Sequence, residues 1–244
     1  MKDIIEKFII DSVKKASPPI SREPLIGYSS AKDPIFGQLK TVIGENQLLP
    51  GDLLPDAKTV LAFFLPYSKE VISSNKEEKH ASRQWAEAYD YTNWLINKVL
   101  QQLNEIMAVH GVKMAWLLPT YEFDKKKLVA QWSHKHVAYA CGLGTFGRNQ
   151  LLITPKGCGG RFGTAVLNIT MEPSKRSEVT HACLADSGCD YCKKKCPVQA
   201  LSETAGYDRH RCYELCLDND RLFSDLESVE VCGKCATGPC AYME

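Results

Sequence analysis

The stretch Cys183-Leu-Ala-Asp-Ser-Gly-Cys189-Asp-Tyr-Cys192-Lys-Lys-Lys-Cys196-Pro197 decides how this chain is read. Its four cysteines stand at spacings of x5, x2 and x3, and a proline follows the last of them. Downstream come Cys212 and Cys216, then Cys232-x2-Cys235-x4-Cys240. Of the 11 cysteines only Cys141 and Cys158 precede this region. A disulfide framework is a poor account of them, because the N-terminus (Met-Lys-Asp-Ile-Ile-Glu-Lys-Phe-Ile-Ile) breaks its apolar residues with charges and has no secretory character. Metal binding is the expectation.

The ending Cys-x2-Cys-x3-Cys-Pro is that of the bacterial ferredoxin run, in which the fourth cysteine ligates the other of two clusters. A [4Fe–4S] cluster needs four soft thiolates. Close spacing lets one turn of backbone present three, and a distant cysteine closes the cage. The crossed assignment gives Cys183, Cys189, Cys192 and Cys240 to a first cluster. It gives Cys196, Cys212, Cys232 and Cys235 to a second, with Cys216 spare or exchanging with Cys212. The x5 gap before Cys189 and the x4 gap before Cys240 depart from ferredoxin spacing. Structural zinc suits the two Cys-x2-Cys pairs, but does not explain so many cysteines or the Cys-x3-Cys-Pro ending.

Outward from this segment, the chain of 244 residues is 44% hydrophobic with a formal net charge of +1. That is enough for a buried core and offers little footprint for a polyanion. No apolar run reaches the roughly 18 residues that span a bilayer, so a cytoplasmic protein without membrane contact is expected. Apolar residues at helical spacing predict a helix over 2–15, ended by Pro18 and Pro19. Thr59 to Leu65 reads as a buried strand. Residues 79–108 read as a long helix with Trp94, Leu95, Val99, Leu100 and Leu103 on one face, closed by Gly111. Residues 112–118 read as a strand ended by Pro119, and 125–141 as a helix. Residues 151–154 and 162–170 read as strands separated by Gly157, Gly159 and Gly160, as a hairpin or a tight connection. Residues 20–57 carry turn formers with short helical pieces. The fold class is therefore mixed: an α/β domain over 1–175, then a ferredoxin-like double-cluster domain over 176–244.

Gly142-Leu-Gly144-Thr-Phe-Gly147 matches G-x-G-x-x-G. A dinucleotide fingerprint follows a strand and opens a helix. Here a helix precedes and a strand follows, so nicotinamide binding is not expected. Three glycines imply backbone at positive φ or a close approach to something flat or bulky. A helix C-cap followed by tight packing accounts for one of them and less easily for three.

Several stretches together resemble the epoxyqueuosine reductase family, cobalamin-dependent iron–sulfur enzymes related to reductive dehalogenases. They are Asp56-Ala-Lys-Thr-Val to Leu65-Pro66-Tyr67, Trp85-Ala-Glu-Ala-Tyr-Asp90-Tyr91, and Ala140-Cys-Gly-Leu-Gly-Thr-Phe-Gly-Arg-Asn149-Gln-Leu-Leu. Cys189-x2-Cys192-x3-Cys196-Pro197, Arg211-Cys212 and Cys232-x2-Cys235 complete the set. The resemblance implies a nitroreductase-like, cobalamin-binding N-terminal domain. Its glycine loop against the corrin implicates Gly142, Gly144, Gly147, Arg148 and Asn149, with Tyr89 beside them. The family's acid lies in a Tyr-Ala-Arg-Gly-x-Asp-Tyr-His stretch, which puts Asp90 in that role. Glu87, Ala88 and Thr92 replace the family's basic residue, glycine and histidine, which puts the substrate in doubt. The family continues from Cys-Pro-Trp-Asn into a helical region that helps hold transfer RNA, whereas this chain reads Cys240-Ala-Tyr-Met-Glu244, so transfer RNA is not expected.

The implied function is an oxidoreductase. A small ferredoxin- or flavodoxin-type donor protein would deliver electrons, the two clusters would pass them to the corrinoid, and a small or nucleoside-like substrate would be reduced. The alternative is an electron-transfer protein, ferredoxin-like or corrinoid-reducing, with no substrate of its own. His134 and His136 are weaker candidates as cobalt or substrate ligands.

Overall fold

The computed structural model describes residues 1–16, 21–118, 123–176, 182–202 and 206–244. Pro18, Pro19 and Pro119 lie outside them. In chain order the elements are α1 (Lys2–Lys14), β1 (Leu25–Ser30), α2 (Ile35–Ile43), α3 (Pro50–Leu53), β2 (Thr59–Pro66), α4 (Lys69–Ser74) and α5 (Arg83–Val109). Then come β3 (Met114–Ala115), β4 (Phe123–Asp124), β5 (Val129–Ala130), α6 (His134–Ala140), β6 (Thr145–Phe146), β7 (Leu152–Ile153) and β8 (Gly160–Leu167). Helices α7 (Tyr191–Lys195) and α8 (Arg209–Leu222) complete the chain, with single 3₁₀ turns at Leu184–Ser187 and Lys234–Ala236.

β2 is the centre. All eight of its residues are buried, the mark of a strand covered on both faces. Alternation sends Leu61, Phe63 and Leu65 to one face, against α1 (Ile5, Ile9, Val13) and α5 (Ile96, Val99, Leu100, Leu103). Val60, Ala62 and Phe64 go to the other, against α2 and α6. The mixed class holds, but the strand order β1-β2-β8-β3 is antiparallel throughout. Helix-containing connections here return neighbouring strands in opposite directions instead of building parallel crossovers.

Other differences have local causes. β1 arises in a stretch read as turns, because it pairs with β2 along its whole length. The helix expected over 125–141 begins only at His134: the Asp124 carboxylate accepts the N–H groups of Lys126 and Lys127 and turns the chain into the β4–β5 hairpin. α5 starts at Arg83, where the Ser82 hydroxyl accepts the Trp85 N–H, and Trp94 is 49% exposed rather than on the buried face. β7 pairs with β6 and β8 with β2 and β3, so no hairpin joins 151–154 to 162–170. Instead Cys158 and Gly159 donate to the carbonyls of Cys240 and Ala241. Gly157 stands at φ +96°, where a Cβ would run into the Ala241 carbonyl.

The cysteine segment packs directly on this framework. Tyr67, Ile72, Trp85 and Ala88 share a core with Phe223, Val229, Ala236 and Ala241. Buried Asn219 on α8 accepts the Ala81 N–H and donates to the Val231 carbonyl.

Candidate functional site

The first cysteine set surrounds a small hollow. Cys183 precedes the 3₁₀ turn, Gly188 at φ +86° swings the chain back to Cys189, and α7 carries Cys192. These three line the hollow together with Cys240, Cys235, Arg148 and Asn149. The Arg148 N–H donates to Cys183 Sγ at 3.4 Å. The Asn149 amide nitrogen donates to the Cys235 carbonyl at 3.1 Å and reaches Cys158 Sγ at 3.6 Å and Cys240 Sγ at 3.9 Å. The Cys158 thiol donates to Cys240, which draws Cys240 down to about 7.

The second set lines a hollow of about 330 Å³: Cys196, Cys212, Cys216, Cys232 and Cys235. Cys212 and Cys216 stand one turn apart on α8. A hydrogen bond from Cys216, aided by Tyr207 and Lys135, draws Cys212 down to about 6. The same bond and burial push Cys216 up. Burial raises Cys232 to about 11 and holds Cys235 well above its usual range. Thiols gathered in so dry a place ionise when a cation joins them. Lys234 fixes their loop from beneath. Its buried ammonium donates to the Asn75 carbonyl at 3.0 Å, to Asn75 Oδ1 at 3.1 Å and to the Glu77 carbonyl at 2.6 Å. No three His, Cys, Asp or Glu side chains converge on a single-ion position among the described residues.

The second hollow adjoins a larger cavity of about 510 Å³, lined by Trp116, Phe123, Trp132, Leu152 and Phe162 among others. Lys135, Leu151, Cys158, Gly160 and Arg161 belong to both walls, so the two lie side by side as a trough with a shared wall. Arg161, at the start of β8, lies over the Tyr89 ring at 4.3 Å, and its guanidinium donates to Asn93 Oδ1 at 2.9 and 3.1 Å. Tyr89 lines the hollow. The Lys135 ammonium donates to the Gln150 carbonyl at 2.8 Å, and burial lowers its pKa. His134 is not a surface residue. Trp132 Nε1 donates to Thr164 Oγ1 at 2.9 Å and His134 Nδ1 meets the same hydroxyl at 2.8 Å. Burial brings His134 down to about 4.

The remaining expected residues are placed elsewhere. Gly142, at φ +79°, closes α6: Gly142 and Leu143 donate to the Tyr139 and Ala138 carbonyls, a Schellman ending. Gly144 and Gly147 face Ile153 of β7, and none of the three glycines lines the trough. Arg148 stands at the first cysteine set, whereas Asn149 stands there and also lines the second hollow. Asp90 accepts the Ser228 N–H at 3.0 Å and lines neither hollow nor cavity. Sequence reasoning missed Arg161, Lys135, Asn93, Trp85 and Lys234. A charged residue opening the apolar run Arg161-Phe-Gly-Thr-Ala-Val-Leu was the one available signal.

No family model matches the chain, and no curated protein matches it. Solved structures do. Epoxyqueuosine reductase from Streptococcus thermophilus is 17% identical at a TM-score of 0.59, covering 99% of this chain and 66% of its own. Epoxyqueuosine reductase from Bacillus subtilis, captured with its catalytic loop swung out of the active site, is 17% identical at a TM-score of 0.59, covering 98% and 66%. The catabolic reductive dehalogenase NpRdhA is 13% identical at a TM-score of 0.59, covering 89% of this chain and 30% of its own. The chain thus has the fold shared by these proteins and spans just under two thirds of the reductases' length.

Proposed function

We propose that the chain is a cobalamin-dependent iron–sulfur reductase resembling epoxyqueuosine reductase, acting on a small or nucleoside-like substrate. The observation that carries this reading is the wall that the second hollow shares with the wide apolar cavity. Thiols of the second set lie on one side of it and the apolar space on the other, with Arg161 and Lys135 between. The fold likeness to proteins of this chemistry agrees with it.

The residues suit the groups implied. Two sets of soft thiolates match two [4Fe–4S] clusters: Cys183, Cys189, Cys192 and Cys240, then Cys196, Cys212, Cys232 and Cys235. The trough offers flat aromatic and aliphatic walls to a macrocycle, and Arg161 and Lys135 offer donors to its amides or phosphate. When bound, the clusters would supply single electrons and the corrinoid a strongly reducing cobalt centre. The chain's own part is to bind, orient and keep water out. Arg161, braced by Asn93 and stacked on Tyr89, holds a fixed positive charge at the junction. Tyr89 presents its ring to the same space. Asp90 is the acid in this proposal. A small donor protein of the ferredoxin or flavodoxin type would supply electrons.

One observation favours a second reading. Asp90 is held by Ser228 and faces neither cavity, as it would in an electron-transfer protein that reduces a corrinoid and has no substrate of its own. Anaerobic reconstitution tests the shared part of both readings. About eight irons per chain are expected, and added cobalamin should remain bound through gel filtration with its corrin absorption. Protein that takes up iron but no cobalamin would remove both. Turnover of an epoxide or halide substrate then separates the first reading from the second.

A further inference from the structure

Trp85 lies in the first turn of α5 and is 3% exposed. Its indole Nε1 is buried without a hydrogen-bond partner among the described residues. By contrast, the Trp132 indole on the other side of the sheet donates to Thr164. An orphaned buried donor is costly, and such groups commonly mark a bound species that the polypeptide itself does not supply. The place of the indole shows which one. It packs against Gly233: a Cβ there would strike its Cε2, Cζ2 and Nε1 atoms. Gly233 stands at φ +71°, between Cys232 and the 3₁₀ turn that carries Cys235. Trp85 also lines the second hollow with Cys196, Cys212, Cys232 and Cys235. The edge of the indole and the sulfur loop are thus built against one another, and the loop needs its glycine for that contact.

We propose that Trp85 Nε1–H donates an N–H···S hydrogen bond to the second [4Fe–4S] cluster, at a cluster sulfide or a ligating cysteine sulfur. This rests on the cluster reading given above. Hydrogen bonds to sulfur are one of the levers that set cluster potentials. The bond is stronger to the reduced, more negative cluster, so it raises the potential of the second cluster relative to the first. It makes the cluster beside the trough a better electron acceptor than it would be without the bond. Trp85 is a tuning residue and takes no part in bond making.

The test is a redox titration of anaerobically reconstituted protein followed by electron paramagnetic resonance. Trp85→Phe keeps the ring packing and removes the donor. One midpoint should move to more negative potential by about a tenfold change in the reduction equilibrium, ~59 mV for a one-electron couple, while the other midpoint and the iron content stay. Two unchanged midpoints in a fully loaded variant would overturn the proposal. Should Trp85→Phe fail to fold, wild-type protein labelled with ¹⁵N-tryptophan is examined by pulsed resonance. Trp94, Trp116 and Trp132 do not line this hollow, so a ¹⁵N coupling to a reduced cluster supports Trp85 and its absence overturns it. Protein that binds no iron would sink the cluster reading itself, a failure distinct from an unmoved midpoint in a loaded cluster.

Discussion

The Asp90 carboxylate of α5 accepts the backbone N–H of Ser228 at 3.0 Å and so ties the long helix to the loop that leads into Cys232. Two roles are superposed in one side chain, the clamp seen here and the acid proposed above. Asp90→Asn separates them, because an amide oxygen still accepts the Ser228 N–H but carries no proton to give. Turnover should fall by about 10²- to 10⁴-fold, with an unchanged thermal midpoint and undisturbed cluster reduction. Asp90→Ala should in addition lose about 1 kcal/mol of stability, because the Ser228 donor is orphaned. Wild-type turnover in Asp90→Asn would leave Asp90 as a clamp only.

Gly157→Ala should cost the protein its first cluster before its second. The glycine stands at φ +96° against the Ala241 carbonyl, and the adjoining Cys158 N–H holds the Cys240 carbonyl at 2.9 Å. A methyl group there pushes the tail and Cys240 off the framework. Iron analysis should fall toward one cluster's content, with loss of one of two resonance signals. Full loading of both clusters would show that Cys240 is not a ligand.

The gathering of Cys183, Cys189 and Cys192 round one hollow and of Cys196, Cys212 and Cys232 round another was legible in part, because close spacing along the chain is what a sequence displays. β2 and α5 were legible for a similar reason: their apolar periods are long and uninterrupted. The glycines at 157–160 make a tight connection and not a hairpin, because Cys158 and Gly159 bond to Cys240 and Ala241, a pairing that no local pattern announces. Lys234 could not be found at all. It is a charged residue between two cysteines, 159 positions from the asparagine that buries its ammonium. Arg161, Asn93 and Tyr89 likewise come together only through the pairing of β8 with β2 beneath α5.

Lys234→Met should destabilise the protein strongly. The ammonium satisfies three oxygens in a buried site. A methionine leaves the Asn75 and Glu77 carbonyls unpaired, at about 1–3 kcal/mol each before relaxation, while Asn75 Oδ1 keeps the Ser82 N–H. Urea unfolding of the loaded protein should show a lower midpoint, and the second cluster should be the more easily lost to chelator. A variant as stable as wild type would mean that water replaces the ammonium.

Stability should fall on acidification from about pH 6.5 to about pH 4. His134 has its pKa lowered to about 4 in the folded chain, first by burial and then by Arg161, against about 6.5 unfolded. Between those values the unfolded chain binds more protons, so stability drops as pH falls through the window and is level above it. Burial also lowers the pKa of His136 to about 4, so denaturant midpoints across that range should show a slope that His134→Asn lessens and His134→Asn with His136→Asn lessens further. An unchanged slope would assign the acid sensitivity to other groups.

Arg161→Gln should weaken corrinoid retention at least tenfold while leaving iron content intact. Its guanidinium is the fixed positive charge at the junction of the two cavities, and Asn93 and the Tyr89 ring hold it without neutralising it. A lysine in its place keeps the charge but loses the planar fork and the ring stacking, so Arg161→Lys should recover only part of the loss. Equilibrium dialysis of cobalamin against the reconstituted variants measures both. Equal retention by wild type and Arg161→Gln would place the charge at the substrate's end of the trough, where it would appear as a raised KM in turnover.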